Sequence, residues 1–259
     1  MILLASILQL VRTVNESKTR LDHVLVAKGL VVSRSQAESF IKLGKVTVNG
    51  KAVTRAGTLV WESDEVQLTA TEQYVSRAGL KLASVAEKLR LDFRDKVVLD
   101  VGSSTGGFTD YALKHGAKKV LAVELGKNQL HSSLHGNPQI ELHEQTDIRD
   151  FKTSQNIDLV VADVSFISLQ EILPSVARLC GKQTQIVAMV KPQFEARNSN
   201  VKHNGVIKNE RVRRDILQGF EQWARRLFVL VDKADSDVAG AKGNRERFYL
   251  LKLAAQARQ

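Results

Sequence analysis

"LDVGSSTGGFTDYAL", residues 99–113, decides the fold, because it joins an apolar run to a helical pattern through glycines and small hydroxyl residues. Gly102 permits a tight exit from the preceding strand, and Gly106 and Gly107 let a ligand approach the backbone. The helix predicted to begin near Phe108 points its free amides back at that place. The stretch therefore predicts a ligand site, although a purely structural strand-to-helix turn has the same pattern.

Spacing and two acidic residues narrow the kind of ligand. No Gly-Lys-Ser/Thr follows the turn, which excludes a Walker phosphate loop, and G-x-x-x-G-G does not match the dinucleotide fingerprint G-x-G-x-x-G. Asp100, just before the first glycine, suits an ammonium group of the methionine type. Glu124 ends the next apolar strand, where a carboxylate can accept both hydroxyls of a ribose. Together they favour S-adenosylmethionine.

From residue 74 onward, apolar strands alternate with helical patterns. The strands are predicted within 96–102, 119–125, 157–165, 184–191, 225–236 and 247–254. Such runs are typical of a mostly parallel sheet covered by helices on both faces, with ligands beyond the carboxyl ends of the strands. The last two strands are close in sequence, and we expect them to form an antiparallel hairpin at the edge. The fold class is therefore α/β.

Residues 17–70 have a different pattern and predict a small α+β domain. Helices are expected within 19–30 and 33–44, and short strands within 45–53 and 60–69. Ser33 is placed to cap the second helix and Gly44 to end it. Asn49 and Gly50 form the strongest short hairpin signal. The break at 69–74 separates this domain from a second one over residues 74–259.

Charge favours an acidic partner, with nucleic acid before an anionic membrane, and the cysteine content fits a reducing compartment. The net charge is +10 and the isoelectric point is near 9.7, which favours an acidic partner. The single Cys180 excludes an internal disulfide and a multi-cysteine zinc site, and we expect it to be buried as a small apolar residue. Residues 1–13 are apolar but too short to span a bilayer; they predict a packing helix, with a degenerate signal sequence as the alternative. The chain is expected in the cytoplasm.

Two absences narrow the methyl acceptor. Amino-group methyltransferases commonly carry an Asn/Asp-Pro-Pro-Tyr/Phe tetrad after their fourth strand, and this chain has "ADVSFISL" at that place. Cys180 lacks the Pro-Cys setting of pyrimidine C5 enzymes. Asp163 and Lys191 directly follow apolar strands, while Lys81 and Glu246 lie in glycine-bearing stretches. A lysine flanked by carboxylates and a second lysine can activate a hydroxyl. Each of the four could also be an ordinary surface charge.

With these residues in view, the chain resembles the TlyA family of rRNA 2′-O-methyltransferases, whose catalytic domain is of the FtsJ type. The matching strings run from Arg20 onward and include "YVSRAGLKL", "LDVGSSTGGFTD", "VVADVSFISL", "VKPQFEA" and "GNRERFYLL". The resemblance implies a Rossmann-like class I methyltransferase sheet and methylation of a ribose, that of a cytidine, in ribosomal RNA. It also implies a catalytic tetrad of Lys81, Asp163, Lys191 and Glu246, with Lys191 nearest the 2′-hydroxyl.

The resemblance extends to the cofactor and to the small domain. The implied cofactor site comprises Asp100, Gly102, Ser103, Thr105, Gly106, Gly107, Glu124, Asp147 and Asp163. The first domain is similar to the RNA-binding module of ribosomal protein S4. Its candidate RNA-binding residues are Arg20, Arg34, Lys42, Lys45, Lys51 and Arg55, which would contact phosphates without reading sequence. A solvated charged surface is the alternative.

Two other functions stay open at this point. A non-catalytic RNA-binding or ribosome-assembly factor could keep the fold without the chemistry. A membrane-active haemolysin, as the family's other label suggests, is disfavoured because the chain has no spanning helix pattern, and no stable membrane association is expected. The expected partners are ribosomal RNA and ribosomal subunits, and no oligomeric state is predicted.

Overall fold

The structure, a computed structural model, describes residues 17–70, 73–196, 205–240 and 242–255. The chain divides into two compact units, Met1–Glu72 and Gln73–Gln259. The packing helix predicted within residues 1–13 lies outside the described residues. Among those that are described, no helix combines the length and apolar character needed to cross a membrane.

The first unit contains two helices and two small antiparallel sheets. The helices are α1 (Leu21–Ala27) and α2 (Arg34–Lys42), and the strands are β1 (Thr19–Arg20), β2 (Val46–Val48), β3 (Lys51–Ala52), β4 (Leu59–Val60) and β5 (Val66–Leu68). β1 pairs with β4, and the second sheet has the order β3-β2-β5. The first helix is shorter than predicted, because Thr19 and Arg20 pair with β4 and Gly29 leaves the helical region at φ 66°.

The local signals of this unit are confirmed. The Ser33 hydroxyl accepts a hydrogen bond from the backbone N–H of Gln36, which satisfies one free amide at the start of α2. Asn49 and Gly50 both have positive φ, 50° and 76°, and join β2 to β3 by the tight turn that their pairing favours.

A buried carboxylate holds the start of this unit together. Asp22 is fully buried and accepts two hydrogen bonds of 2.9 Å from the guanidinium of Arg20, with Arg34 at 3.4 Å. The hydrogen bonds from Arg20 lower the pKa of Asp22. Arg20 and Arg34 therefore have a structural contact, while both stay exposed enough to meet another ligand.

The second unit is built on one seven-stranded sheet. Its strands are β6 (Val97–Val101), β7 (Lys119–Val123), β8 (Ile140–His143), β9 (Leu159–Ala162), β10 (Gln185–Val190), β11 (Phe228–Asp235) and β12 (Arg247–Leu253). The order across the sheet is β11-β12-β10-β9-β6-β7-β8. All pairs from β10 to β8 are parallel, whereas β12 is antiparallel to both of its neighbours. This is the order of class I methyltransferases, as the resemblance implied.

The six predicted strands are confirmed, and so is the antiparallel pairing of the last two. β12 lies inside the sheet, and β11 alone occupies the edge. The strand β8 was not predicted, because its sequence IELH is short and half polar and belongs to the opposite edge. Cys180 is buried as expected, and burial raises the pKa of its thiol to about 12.

Helices cover both faces of this sheet. They are α3 (Arg77–Ala86), α4 (Gly107–Lys114), α5 (Leu169–Leu179), α6 (Pro192–Glu195) and α7 (Glu210–Ala224). Leu173 of α5 and Phe220 of α7 belong to one apolar core with the strand residues Leu99 and Val160. Each such buried side chain contributes about 1.5–3 kcal/mol relative to its exposed state.

A close contact between two glycines places α3 on α4. A Cβ atom at Gly79 would lie 2.9 Å from the carbonyl oxygen of Gly107, and one at Gly107 would lie 2.9 Å from the amide nitrogen of Gly79. The two backbones can approach this closely only because neither residue has a side chain. Since Lys81 is two residues beyond Gly79, this contact fixes where Lys81 meets the rest of the unit.

Candidate active site

The order of the strands brings charged residues to one edge of the sheet. Asp163 follows β9 and Lys191 follows β10, so both leave at the carboxyl edge of these parallel strands. β12 runs in the opposite direction, and its first residue, Arg247, pairs with Val190 at the end of β10. Glu246, which precedes β12, therefore lies at the same edge as Lys191.

Two short ion pairs result. The Nζ atom of Lys191 is 2.6 Å from Oδ1 of Asp163, and the Nζ atom of Lys81 is 2.6 Å from Oε2 of Glu246. Both lysines are 8% exposed and Glu246 is 2% exposed, so three of the four groups are nearly withdrawn from water. The structure thus brings the four predicted residues together.

The four charges act on one another. Burial raises the pKa of Glu246, the nearby Lys81 and Lys191 oppose that rise, and Asp163 adds to it. An unpaired carboxylate or ammonium at this depth would be strongly disfavoured, whereas two cations and two anions at close range compensate one another. The four groups form a compact cluster with no net charge at the carboxyl edge of the parallel strands.

The glycine turn lies beside this cluster. Gly102 has φ 78°, and a Cβ atom there would lie 2.8 Å from the carbonyl oxygen of Asp163. Gly106 has φ 85° and directly precedes α4, with the side chains of Leu130 and Leu134 against it. The turn is therefore shaped by close packing as well as by its left-handed backbone, and a side chain at Gly102 cannot be accommodated.

Two buried polar atoms at the turn fit a ligand. Asp100 is 1% exposed; its Oδ2 accepts a 2.6 Å hydrogen bond from Thr109, and its Oδ1 has no hydrogen-bond partner among the described residues. The hydroxyl of Ser103, 4% exposed, also has none among them. Buried polar groups are rarely left unsatisfied. A carboxylate oxygen and a hydroxyl oxygen together suit an ammonium group, which the predicted methionine-type donor carries.

The remaining predicted cofactor residues surround the turn. Glu124 follows β7, and its carboxylate accepts hydrogen bonds from the backbone N–H groups of Ser104 (2.9 Å) and Gly126 (2.6 Å). This fixes the carboxylate near the turn. Asp147 is paired with Arg149, whose guanidinium lowers the pKa of Asp147. Thr105 lies exposed in the turn, and its carbonyl accepts from the N–H of His131.

Comparison with known proteins assigns a family to each part of the chain. The model of the FtsJ-like methyltransferase family matches residues 74–253, and that of the S4 domain matches residues 19–66. The chain belongs to the FtsJ-like methyltransferase family.

Relatives of similar length share both parts. The chain is 36% identical to a 23S rRNA (cytidine-2′-O)-methyltransferase TlyA of Campylobacter jejuni, over 86% of this chain and 96% of that protein. It is also 36% identical to hemolysin A of Brachyspira hyodysenteriae, over 88% of this chain and 97% of that one. A solved structure from Streptococcus thermophilus, named as a hemolysin, superimposes with a TM-score of 0.68 at 33% identity and covers 93% of this chain and 90% of that one.

Two side chains near Lys191 of this FtsJ-like methyltransferase were missed by the sequence analysis. The hydroxyl of Ser165 accepts a 2.8 Å hydrogen bond from the Lys191 ammonium. Glu195, 5% exposed, accepts from the Ser168 hydroxyl (2.6 Å) and the Leu169 N–H (2.8 Å), and burial raises its pKa. Both residues lie within strings that the resemblance singled out, but only the folded chain shows what they contact.

The first prediction tests the close approach at the glycine turn. Gly102→Ala should weaken binding of S-adenosylmethionine at least tenfold, measured by calorimetry, because the new Cβ atom would clash with the Asp163 carbonyl. Gly136→Ala is the matched control, since Gly136 also has positive φ (72°) but a Cβ atom there meets nothing within 4 Å. Both changes strain the backbone by about 1–2 kcal/mol. Equal affinities of the two variants would contradict the prediction.

The second prediction concerns Asp100, whose pKa burial raises from 3.8 to about 7. An ammonium ligand requires the carboxylate form, so the affinity for S-adenosylmethionine should fall about tenfold for each pH unit below about 7. Asp100→Asn should weaken binding at pH 8 and remove this pH dependence. Tight or still pH-dependent binding by the variant would show that Asp100 does not hold the ammonium.

Asp100→Asn should weaken ligand binding but stabilise the ligand-free protein. Because the folded-state pKa of Asp100 lies above its unfolded value, the folded chain binds the proton more tightly, and the free energy of unfolding falls as pH rises from about 4 to about 7. Asp100→Asn removes this penalty and should stabilise the ligand-free protein at pH 8 by about 4 kcal/mol. Denaturant titrations at pH 5 and pH 8 measure it, and the gain should be clearly larger at pH 8 than at pH 5.

Proposed function

We propose that this protein transfers a methyl group from S-adenosylmethionine to the ribose 2′-hydroxyl of a cytidine in ribosomal RNA. The observation that carries the proposal is the cluster of two lysine–carboxylate pairs beside the glycine turn. The FtsJ-like family supports a methyl-transfer reaction. The Campylobacter jejuni relative, named for cytidine 2′-O-methylation, supports the acceptor.

The chain's residues fit the donor. When bound, S-adenosylmethionine supplies an electrophilic methyl group on a positively charged sulfur. Asp100 and Ser103 would hold its ammonium group, Glu124 its ribose hydroxyls, and the backbone of the glycine turn would approach it closely. Asp147 follows β8 and would lie at the adenine side. Positioning two substrates in reactive geometry supplies much of the acceleration in such a transfer.

The charged cluster would act on the acceptor. Lys191 would hold the 2′-oxygen and stabilise the negative charge that develops on it, and Asp163 keeps the ammonium in place. The bound donor would give up its methyl group and keep the electron pair of that bond on sulfur. The hydroxyl proton would pass to the Asp163 carboxylate, because the Lys191 ammonium has no site to accept it. Lys81 and Glu246 form the second, more deeply buried pair, which offsets the charge of the first.

Both units offer surface for RNA. In the first, Arg20, Arg34, Lys42, Lys45, Lys51 and Arg55 are all exposed. In the second, residues 73–259 carry 29 Lys and Arg against 21 Asp and Glu, so positive charge is not confined to the S4 domain. Phe166, which follows the Asp163 strand end, is 74% exposed and offers an aromatic face on which a base can stack. Such a substrate implies work in the cytoplasm, on ribosomal subunits.

The third prediction tests the catalytic role of Lys191. Lys191→Ala should lower the rate of methyl transfer to ribosomal RNA at least a thousandfold, because the positive charge at the acceptor oxygen is lost. Its affinity for S-adenosylmethionine should stay within about threefold of wild type. Lys182→Ala is the control: this lysine is exposed, precedes β10 and should leave the rate unchanged. Single-turnover assays with ribosomal subunits and mapping of ribose methylation measure both.

The same assay separates the proposal from its main alternative. A non-catalytic RNA-binding factor would bind ribosomal subunits but leave ribose unmethylated in wild type as well. Equal methylation by wild type and Lys191→Ala would show that the reaction exists but that Lys191 does not carry it.

The fourth prediction concerns the S4 domain. Replacing Lys42, Lys45, Lys51 and Arg55 together by Gln should weaken binding to ribosomal RNA and lower the slope of log K against log salt by about 3. Lys28→Gln is the control, because Lys28 is exposed at the end of α1 rather than on α2 or the hairpin. A slope unchanged by the fourfold substitution would remove these residues from the RNA interface.

A further inference from the structure

The two lysines of the cluster are held differently. Lys81 is paired with Glu246, and the nearby hydroxyl of Ser84 donates to the Lys81 backbone carbonyl rather than contacting the ammonium. Lys191 has a carboxylate partner and, in addition, the hydroxyl of Ser165 at 2.8 Å from its Nζ atom. A side-chain hydroxyl thus accepts a hydrogen bond from the Lys191 ammonium, whereas the hydroxyl near Lys81 bonds to its backbone.

We propose that Ser165 is a positioning residue for Lys191. An ammonium group has three N–H bonds; Ser165 accepts one of them, and the Asp163 carboxylate forms an ion pair with the same nitrogen at 2.6 Å. With one N–H bond directed at Ser165 and Asp163 beside the same nitrogen, the ammonium is held from two sides, and the acceptor oxygen must lie on its remaining side if Lys191 acts on it. A single carboxylate at 2.6 Å would leave the head group free to rotate about one contact. This inference rests on the proposed function and deepens it.

The backbone around Ser165 supports this assignment. The segment that leaves β9 after Asp163 turns sharply at Phe166, a non-glycine residue at φ 66°. Such a conformation costs about 1–2 kcal/mol and persists only where the surroundings enforce it. The turn keeps Ser165 within hydrogen-bond distance of Lys191 although the two residues follow different strands.

Glu195 fixes the far end of the same segment. Its N–H donates to the Lys191 carbonyl at 3.2 Å, and its carboxylate accepts from Ser168 and Leu169, at the start of α5. The segment from Asp163 to Leu169 is thus attached at one end through the Lys191 side chain and at the other through a residue one turn beyond Lys191. Ser165 lies between these attachments, so its position relative to Lys191 is closely determined.

Ser165 is itself exposed, which makes its removal a clean test. Ser165→Ala deletes one oxygen without opening a cavity, and Ser165→Thr keeps a hydroxyl at the same place. Ser175→Ala is the control, because the Ser175 hydroxyl accepts a hydrogen bond from Arg178 of the same helix α5 and, within the part of the chain that the structure describes, from no member of the cluster. The measurements are kcat and KM for methyl transfer to ribosomal subunits, the Kd for S-adenosylmethionine and the thermal midpoint.

A positioning role predicts a specific pattern. Ser165→Ala should lower kcat at least tenfold, with KM for the RNA and Kd for S-adenosylmethionine within threefold of wild type and the thermal midpoint unchanged. Ser165→Thr should recover most of the lost kcat, and Ser175→Ala should behave as wild type.

Other outcomes overturn the role. A kcat of Ser165→Ala within twofold of wild type shows that Asp163 suffices to orient Lys191. A rise in KM alone assigns Ser165 to RNA binding, and a loss that Ser165→Thr does not recover, or that comes with a lower thermal midpoint, assigns it to local structure. If wild type transfers no methyl group to ribose, the proposed function fails together with this role; if it does and Ser165→Ala equals it, only the role fails.

Discussion

The active site of the second unit depends on holding two lysine–carboxylate pairs, three of their four groups nearly buried, at one edge of a sheet. Each charge alone would lose several kcal/mol of hydration at that depth, and the attraction between partners 2.6 Å apart only partly returns it. Well-packed apolar residues of similar volume would often be as stable or more so. The cluster is therefore weak support for stability, and its place beside the glycine turn is best understood through chemistry.

The antiparallel insertion of β12 is the topological condition for this cluster. If β12 ran parallel to β10, the residue before it would leave the sheet at the opposite edge, about the length of a strand away, and Glu246 could not meet Lys81. The glycine contact between α3 and α4 is the second condition, because it brings Lys81 to that edge from a helix. Sheet order supplies three of the four charged groups, and helix packing supplies the fourth.

What the sequence could predict follows from this division. Residues that act through their own strand end, such as Asp163 and Lys191, follow from the pattern of apolar runs, and so do the glycine turn and the last hairpin. Lys81 needed the family resemblance, because no periodicity indicates which helix packs against which edge. Ser165 and Glu195 had no signal of their own: each acts through a contact between segments that come from different strands. β8 was missed because an edge strand needs few apolar residues.

The two units use charge in different ways, and salt acts differently on each. The exposed cations of the S4 domain interact with a partner through water, where the Debye length is about 8 Å at physiological ionic strength, so their attraction weakens as salt rises. The Lys191–Asp163 and Lys81–Glu246 pairs exclude most water and lie within 2.6 Å, so ions cannot enter between them. RNA binding therefore depends on exposed cations whose attraction salt weakens. Methyl transfer depends on the lysine–carboxylate pairs, whose geometry is kept as salt rises.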